Sequence, residues 1–135
     1  MTTVTVTYEG SDHCRAVHGP TGESLITDLP RDVGGRGEFF SPTDLVAAAL
    51  GACMLTIMAQ AVRDRGIDLS GARIEVTKEM APAPARRIRR LHAVLHLPAV
   101  PAAEDRRRLE RAALTCPVHR TLEAAVELSV AFRYA

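Results

Sequence analysis

A chain of 135 residues with 17 Lys and Arg against 16 Asp and Glu carries a formal charge of +1, which excludes a strong field for drawing in nucleic acid or an anionic membrane. The length is that of one domain, 1–135, with enough chain to bury a core without disulfides or a structural metal. Trp is absent and aromatics are scarce while Ala, Val and Leu are plentiful, so a core of small aliphatic side chains in close layers is expected.

Val4, Val6 and Tyr8 alternate with Thr5, Thr7 and Glu9, the pattern of a strand with one apolar face. This start has no basic n-region and no apolar h-region, so a signal peptide is not expected and a cytoplasmic protein is. Gly10-Ser11-Asp12 marks a turn into a second strand through Cys14 and His18, and Gly19-Pro20-Thr21-Gly22 marks another into a third strand over residues 23–28. Residues 29–40 hold Pro30, Gly34, Gly35 and Gly37 among four charges, an irregular loop of the kind that often carries function.

Ser41-Pro42-Thr43-Asp44 then opens a helix, with a capping residue, Pro at the first helical position and an acid at the third. From 45 to 62 this helix is apolar on nearly every side, which predicts burial all round. Its Ala and Gly content and its capping box favour a core helix over a membrane span. Residues 70–80 and 86–97 alternate as two long strands joined across Ala81-Pro82-Ala83-Pro84-Ala85. Leu109, Ala112, Ala113 and Cys116 follow at helical spacing. Pro117 biases Cys116 away from helical geometry, so a break and a short new helix from 117 to about 124 are expected before a last strand over 126–134. No βαβ alternation and no repeat is present, and the class is α+β. The basic runs Arg86-Arg87-Ile88-Arg89-Arg90 and Arg106-Arg107-Arg108 have no interleaved aromatics, so they read as solvated faces and not as nucleic-acid grips.

Three widely spaced cysteines are an odd set that does not make a secreted disulfide framework. Cys53 sits mid-helix behind Gly51-Ala52, where the helix dipole does little for it, so reactivity there requires a neighbouring cation. Taken alone, Cys53 reads as a small core residue. Cys116 lies at the start of a new helix, where free N–H groups favour thiolate and predict a pKa below the ordinary value of about 8.5. Cys14 lies in the first hairpin and reads as incidental.

The run Phe40-Ser41-Pro42-Thr43-Asp44-Leu45-Val46-Ala47-Ala48-Ala49-Leu50-Gly51-Ala52-Cys53 resembles the segment before the peroxidatic cysteine in the OsmC/Ohr family. Cys116-Pro117-Val118-His119-Arg120-Thr121-Leu122 is similar to the family's second, Cys-Pro-Val motif. The resemblance covers nearly the whole chain. It implies two antiparallel three-stranded sheets around a long buried helix, in an intertwined homodimer with active sites at the subunit interface. It also implies a peroxidase that reduces organic hydroperoxides, with hydrogen peroxide as a secondary substrate, and that needs no metal or organic cofactor, acting through a Cys53 sulfenate that Cys116 resolves as an intramolecular disulfide. The reductant implied is a dithiol, in some members a lipoylated protein.

Family sites further contain an Arg that steadies the thiolate and an acid that holds the Arg. Arg36, in the glycine-rich loop, resembles the position used by OsmC proper and is preferred, and Arg15 is nearer the position used by Ohr. Both of those groups carry Glu directly after the helix-opening Pro, where this chain has Thr43. Asp44 matches a branch with the acid one residue later, and it also completes the capping box with Ser41. That departure keeps a non-peroxidase binding or redox-sensing module as an alternative. A hot-dog thioesterase or acyl-binding protein is a second rival, and a zinc site using Cys116, His119 and other His residues a weaker third, since no Cys-x-x-Cys pair exists and structural zinc takes four ligands at fixed spacing.

Overall fold

Alternating apolar residues and two left-handed turn residues make the first hairpin. β1 (Val4–Gly10) turns through Ser11 and Asp12, at φ 54° and 65°, into β2 (His13–His18), which is followed by β3 (Ser24–Thr27). The three form an antiparallel sheet in the order β1-β2-β3, with Val4 opposite His18 and Cys14 opposite Thr27. Register places Val4, Val6, Tyr8, Cys14, Ala16 and Leu25 on one face, because side chains alternate along each strand. The computed structural model describes residues 1–135, and this sheet with the loop after it lies in the first of two compact units, Met1–Val46 and Ala47–Ala135.

The loop after β3 contains one short 3-10 turn, Arg31–Val33, that periodicity did not reveal. Gly35 is required there, since a Cβ would lie 1.9 Å from the Leu29 carbonyl oxygen. The loop ends at the expected helix start. Ser41 Oγ accepts the Asp44 N–H at 3.1 Å and Asp44 Oδ2 accepts the Ser41 N–H at 2.9 Å, a reciprocal capping box that opens α1 (Pro42–Ala61).

α1 corrects one expectation. It is buried on one face, through Ala47, Leu50, Gly51, Met54 and Met58, while Ala48, Ala49, Ala52 and Thr56 on the other face are exposed in the single chain. A helix apolar all round gives no periodic sign of which side its own chain will cover. By length and composition α1 is apolar enough to cross a membrane, and its buried face belongs to the core of the second unit.

In that unit β4 (Arg73–Met80) pairs antiparallel with β5 (Ile88–Leu97), and β6 (Glu127–Tyr134) pairs with β5 in parallel, Leu91 opposite Leu128. The second sheet is therefore mixed and not antiparallel throughout. Parallel neighbours need a long crossover, and α2 (Ala103–Leu114) with α3 (Pro117–Leu122) supplies it. Leu91, Ala93, Leu95 and Leu97 alternate into the core with Leu109 and Ala113 of α2.

Tyr134 at the end of β6 donates to Glu110 at 3.1 Å and lies under the Arg106 guanidinium, 4.6 Å from its ring centre. Burial first, then the Glu110 carboxylate, pushes its phenol up to about 12. A phenol raised by folding stabilises the native state below the ordinary tyrosine value, and that contribution is lost as pH rises towards the folded one. Absorbance titration is expected to show Tyr134 ionising near 12. A loss of this late transition in Tyr134→Phe assigns it, and its persistence would refute the assignment.

Candidate functional site: a thiol pair in the second unit

Pro117 sets the geometry of Cys116. The residue before a proline is held extended, and Cys116 has φ −62° and ψ 151°, capping α3 while its Sγ accepts the His119 N–H at 3.4 Å. Its side chain is fully buried. Cys53, on α1 between the buried Gly51 and Met54, is half-buried. The two thiols meet: Cys53 acts on Cys116 by a side-chain hydrogen bond as well as by charge.

The electrostatics of Cys116 correct the sequence-based expectation. Burial pushes its thiol up, and the hydrogen bond and charge of Cys53 add to the rise, against the opposing N–H groups of His119 and Val118. Helix-start geometry is present, but desolvation outweighs it. Cys116 is thus a thiol held protonated beside a more accessible one. Iodoacetamide at neutral pH is expected to modify Cys53 well before Cys116, with the Cys116 rate climbing only at a pH above that of an ordinary cysteine. Timed quenching and peptide mass mapping measure both rates, and equal rates at neutral pH would contradict the burial argument.

The other candidates have partners of their own. Arg15 Nε lies 3.1 Å from Glu9 and its Nη1 donates to Ser24 at 3.4 Å, all on one face of the first sheet. Arg36 pairs with Glu38 at 3.5 Å in the loop of the first unit, largely exposed. Asp44 holds the start of α1, and Thr43 Oγ1 lies 3.2 Å from Ser41 Oγ.

The profile of the OsmC-like protein family matches residues 35–131. The chain belongs to the OsmC-like family. A crystal structure of a Psychrobacter arcticus protein, provisionally named as osmotic stress induced and a detoxification response protein, is 39% identical over 98% of this chain and 96% of that one, with a TM-score of 0.91. An OsmC-like protein from Mycoplasma pneumoniae aligns over 100% of this chain and 97% of its own at 15% identity and TM-score 0.82. An organic hydroperoxide resistance protein from Elizabethkingia anophelis aligns over 100% and 96% at 15% identity and TM-score 0.80. No curated protein sequence matches the chain. OsmC-like membership replaces the hot-dog reading, and the two three-stranded sheets agree with the α+β, OsmC-like class expected from the motifs.

One group escaped sequence reasoning. His13, Asp28 and Glu38 bring a ring nitrogen and two carboxylates together in the first unit of this OsmC-like chain. The turn between β2 and β3 carried a usable sign. It pairs Val17 with Ser24, and that register, continued, sets His13 across from Asp28.

Proposed function

We propose that the protein is a thiol-dependent peroxidase for organic hydroperoxides. Cys53 is the attacking thiol and Cys116 the resolving one. The observation that carries this reading is the meeting of a half-buried thiol on α1 with a buried one at a Cys-Pro cap. A peroxide reaches the more accessible sulfur first. The Cys53 thiolate attacks the distal peroxide oxygen, the O–O bond breaks, and the leaving alkoxide takes a proton to become an alcohol, leaving Cys53 as sulfenic acid.

Burial is the main cause that raises the Cys116 thiol, and sulfenic acid carries no thiolate charge, so oxidation removes the smaller contribution that the Cys53 charge adds to that rise. Cys116 then gives up its proton, attacks the Cys53 sulfur and releases water as the disulfide forms. The reductant is a dithiol, for which a lipoylated protein is one source, and the peroxide cycle uses no metal or organic cofactor. Cys53 takes its cation from Arg36 or Arg15, with Asp44 as the acid of the pair. Solved OsmC-like relatives named for organic hydroperoxide resistance support the substrate class.

A cytoplasmic homodimer fits this role. The exposed Val4, Val6, Tyr8 and Leu25 on one sheet face, and the exposed small residues of α1, are apolar surfaces suited to a second copy. The experiment is consumption of cumene or tert-butyl hydroperoxide by reduced protein with dihydrolipoamide. Turnover supports the enzyme. A protein that reduces neither peroxide is the binding or sensing module favoured by Thr43 in place of Glu.

A further inference from the structure

We infer that His13, Asp28 and Glu38 form a binding site for a divalent transition-metal cation of the zinc type in the first unit, separate from the thiol chemistry. A ring nitrogen of His13 and one oxygen from each carboxylate all lie within 4.8 Å of one another. Ligands that share a zinc ion at bonds of about 2.0–2.2 Å stand roughly 3–4 Å apart, so closing the site needs a movement of about 1 Å. Glu38 can make it, because its side chain is half exposed.

The site has features that a solvated acidic cluster lacks. Asp28 is buried and fixed, with Oδ1 accepting the Leu29 N–H at 2.8 Å and Oδ2 accepting the Glu38 N–H at 2.9 Å. Each oxygen still has a lone pair to give. His13 Nε2 is sheltered from water, has no hydrogen-bond partner, and lies 3.5 Å from Asp28 Oδ1. The Phe39 ring packs against the imidazole at 5.5 Å between centres, helping to hold its orientation. A bare imidazole lone pair facing a carboxylate is repelled, so Nε2 bears either a metal ion or a proton, and the experiment distinguishes the two. Two carboxylates with one imidazole suit zinc, manganese, iron or cobalt better than magnesium or calcium. A fourth position remains for water or a ligand.

Glu38 is also the ion-pair partner of Arg36. A bound cation competes for that carboxylate and loosens the guanidinium. A consequence for peroxide turnover rests on the proposed function and on Arg36 as the cation of Cys53, whereas cation binding rests on neither.

The experiment is Zn²⁺ titration calorimetry on the reduced full chain, with Co²⁺ absorption as a second readout and no peroxide present. One equivalent per chain at about 10 µM affinity or tighter is expected. Binding should weaken at least about tenfold in His13→Ala and in Glu38→Gln and persist in the Cys53→Ser, Cys116→Ser double variant. The Co²⁺ spectrum should lack intense thiolate bands. The exposed Glu38 makes Glu38→Gln the variant that tests the site without disturbing the fold. No binding below about 1 mM leaves only the proton between His13 and Asp28 and overturns the proposal. Binding unchanged in both site variants, or thiolate bands in the double variant that implicate Cys14, also overturns it.

Discussion

Replacing Cys53 with Ser is expected to lower kcat/KM for an organic hydroperoxide by at least about a thousandfold, because a serine hydroxyl is not an anion near neutral pH and forms no sulfenic acid. Cys116→Ser is expected to fail differently. It keeps the first step, so one equivalent of peroxide should disappear in a burst and Cys53 should be trapped as a dimedone adduct. Turnover then stalls, and excess peroxide drives the unresolved sulfur to sulfinic acid. Stopped-flow kinetics with mass spectrometry separate the two. Cys53→Ser turning over like the wild type would remove the proposed function, and a Cys116→Ser variant with neither burst nor adduct would reverse the two roles.

The second large effect concerns the helix that carries Cys53. A Cβ at Gly51 would lie 2.9 Å from Ile74 Cγ2 and 3.3 Å from Val76 Cγ2, so α1 and β4 approach closely because residue 51 has no side chain. Alanine there would recover part of the clash through its better helix propensity, worth about 1 kcal/mol. Valine adds two further methyl groups at the contact. Gly51→Val is therefore expected to cost about 1–3 kcal/mol of stability, an overpacking penalty, and to displace Cys53 two residues further on. Its urea midpoint should fall, and peroxide turnover should fall with it as the thiols move apart. A midpoint equal to the wild type would show that β4 yields without cost.

The strands and helix starts were legible because their signals are local. Alternation of apolar residues marks β1, β4 and β5, and Ser41 with Asp44 marks the start of α1 in the same few residues that make the hydrogen bonds. Strand direction is another matter. Alternation looks the same read either way along a strand, and β6 runs parallel to β5 because of what lies between them. The thiol site divides along the same line. Pro117 announces the extended backbone and the cap at Cys116, but burial of the sulfur comes from the packing around it, and burial decides which way its thiol shifts. The pairing of Cys53 with Cys116 came from resemblance alone, since no local pattern links two positions so far apart.

That separation bears on how the chain responds to oxidation before it has folded. In an unfolded chain, disulfide choice follows loop length, and Cys14 to Cys53 spans about 40 residues where Cys53 to Cys116 spans about 60. Loop-closure entropy then favours the shorter link by a few tenths of a kcal/mol. Folding reverses the preference, because the crossover that brings β6 alongside β5 also delivers Cys116 to Cys53. Oxidation in denaturant should yield a mixture rich in the Cys14–Cys53 link, and oxidation of native protein the Cys53–Cys116 link. With the remaining thiol blocked and no dithiol present, the disulfide found by peptide mapping records the state of the chain at the moment it met the oxidant.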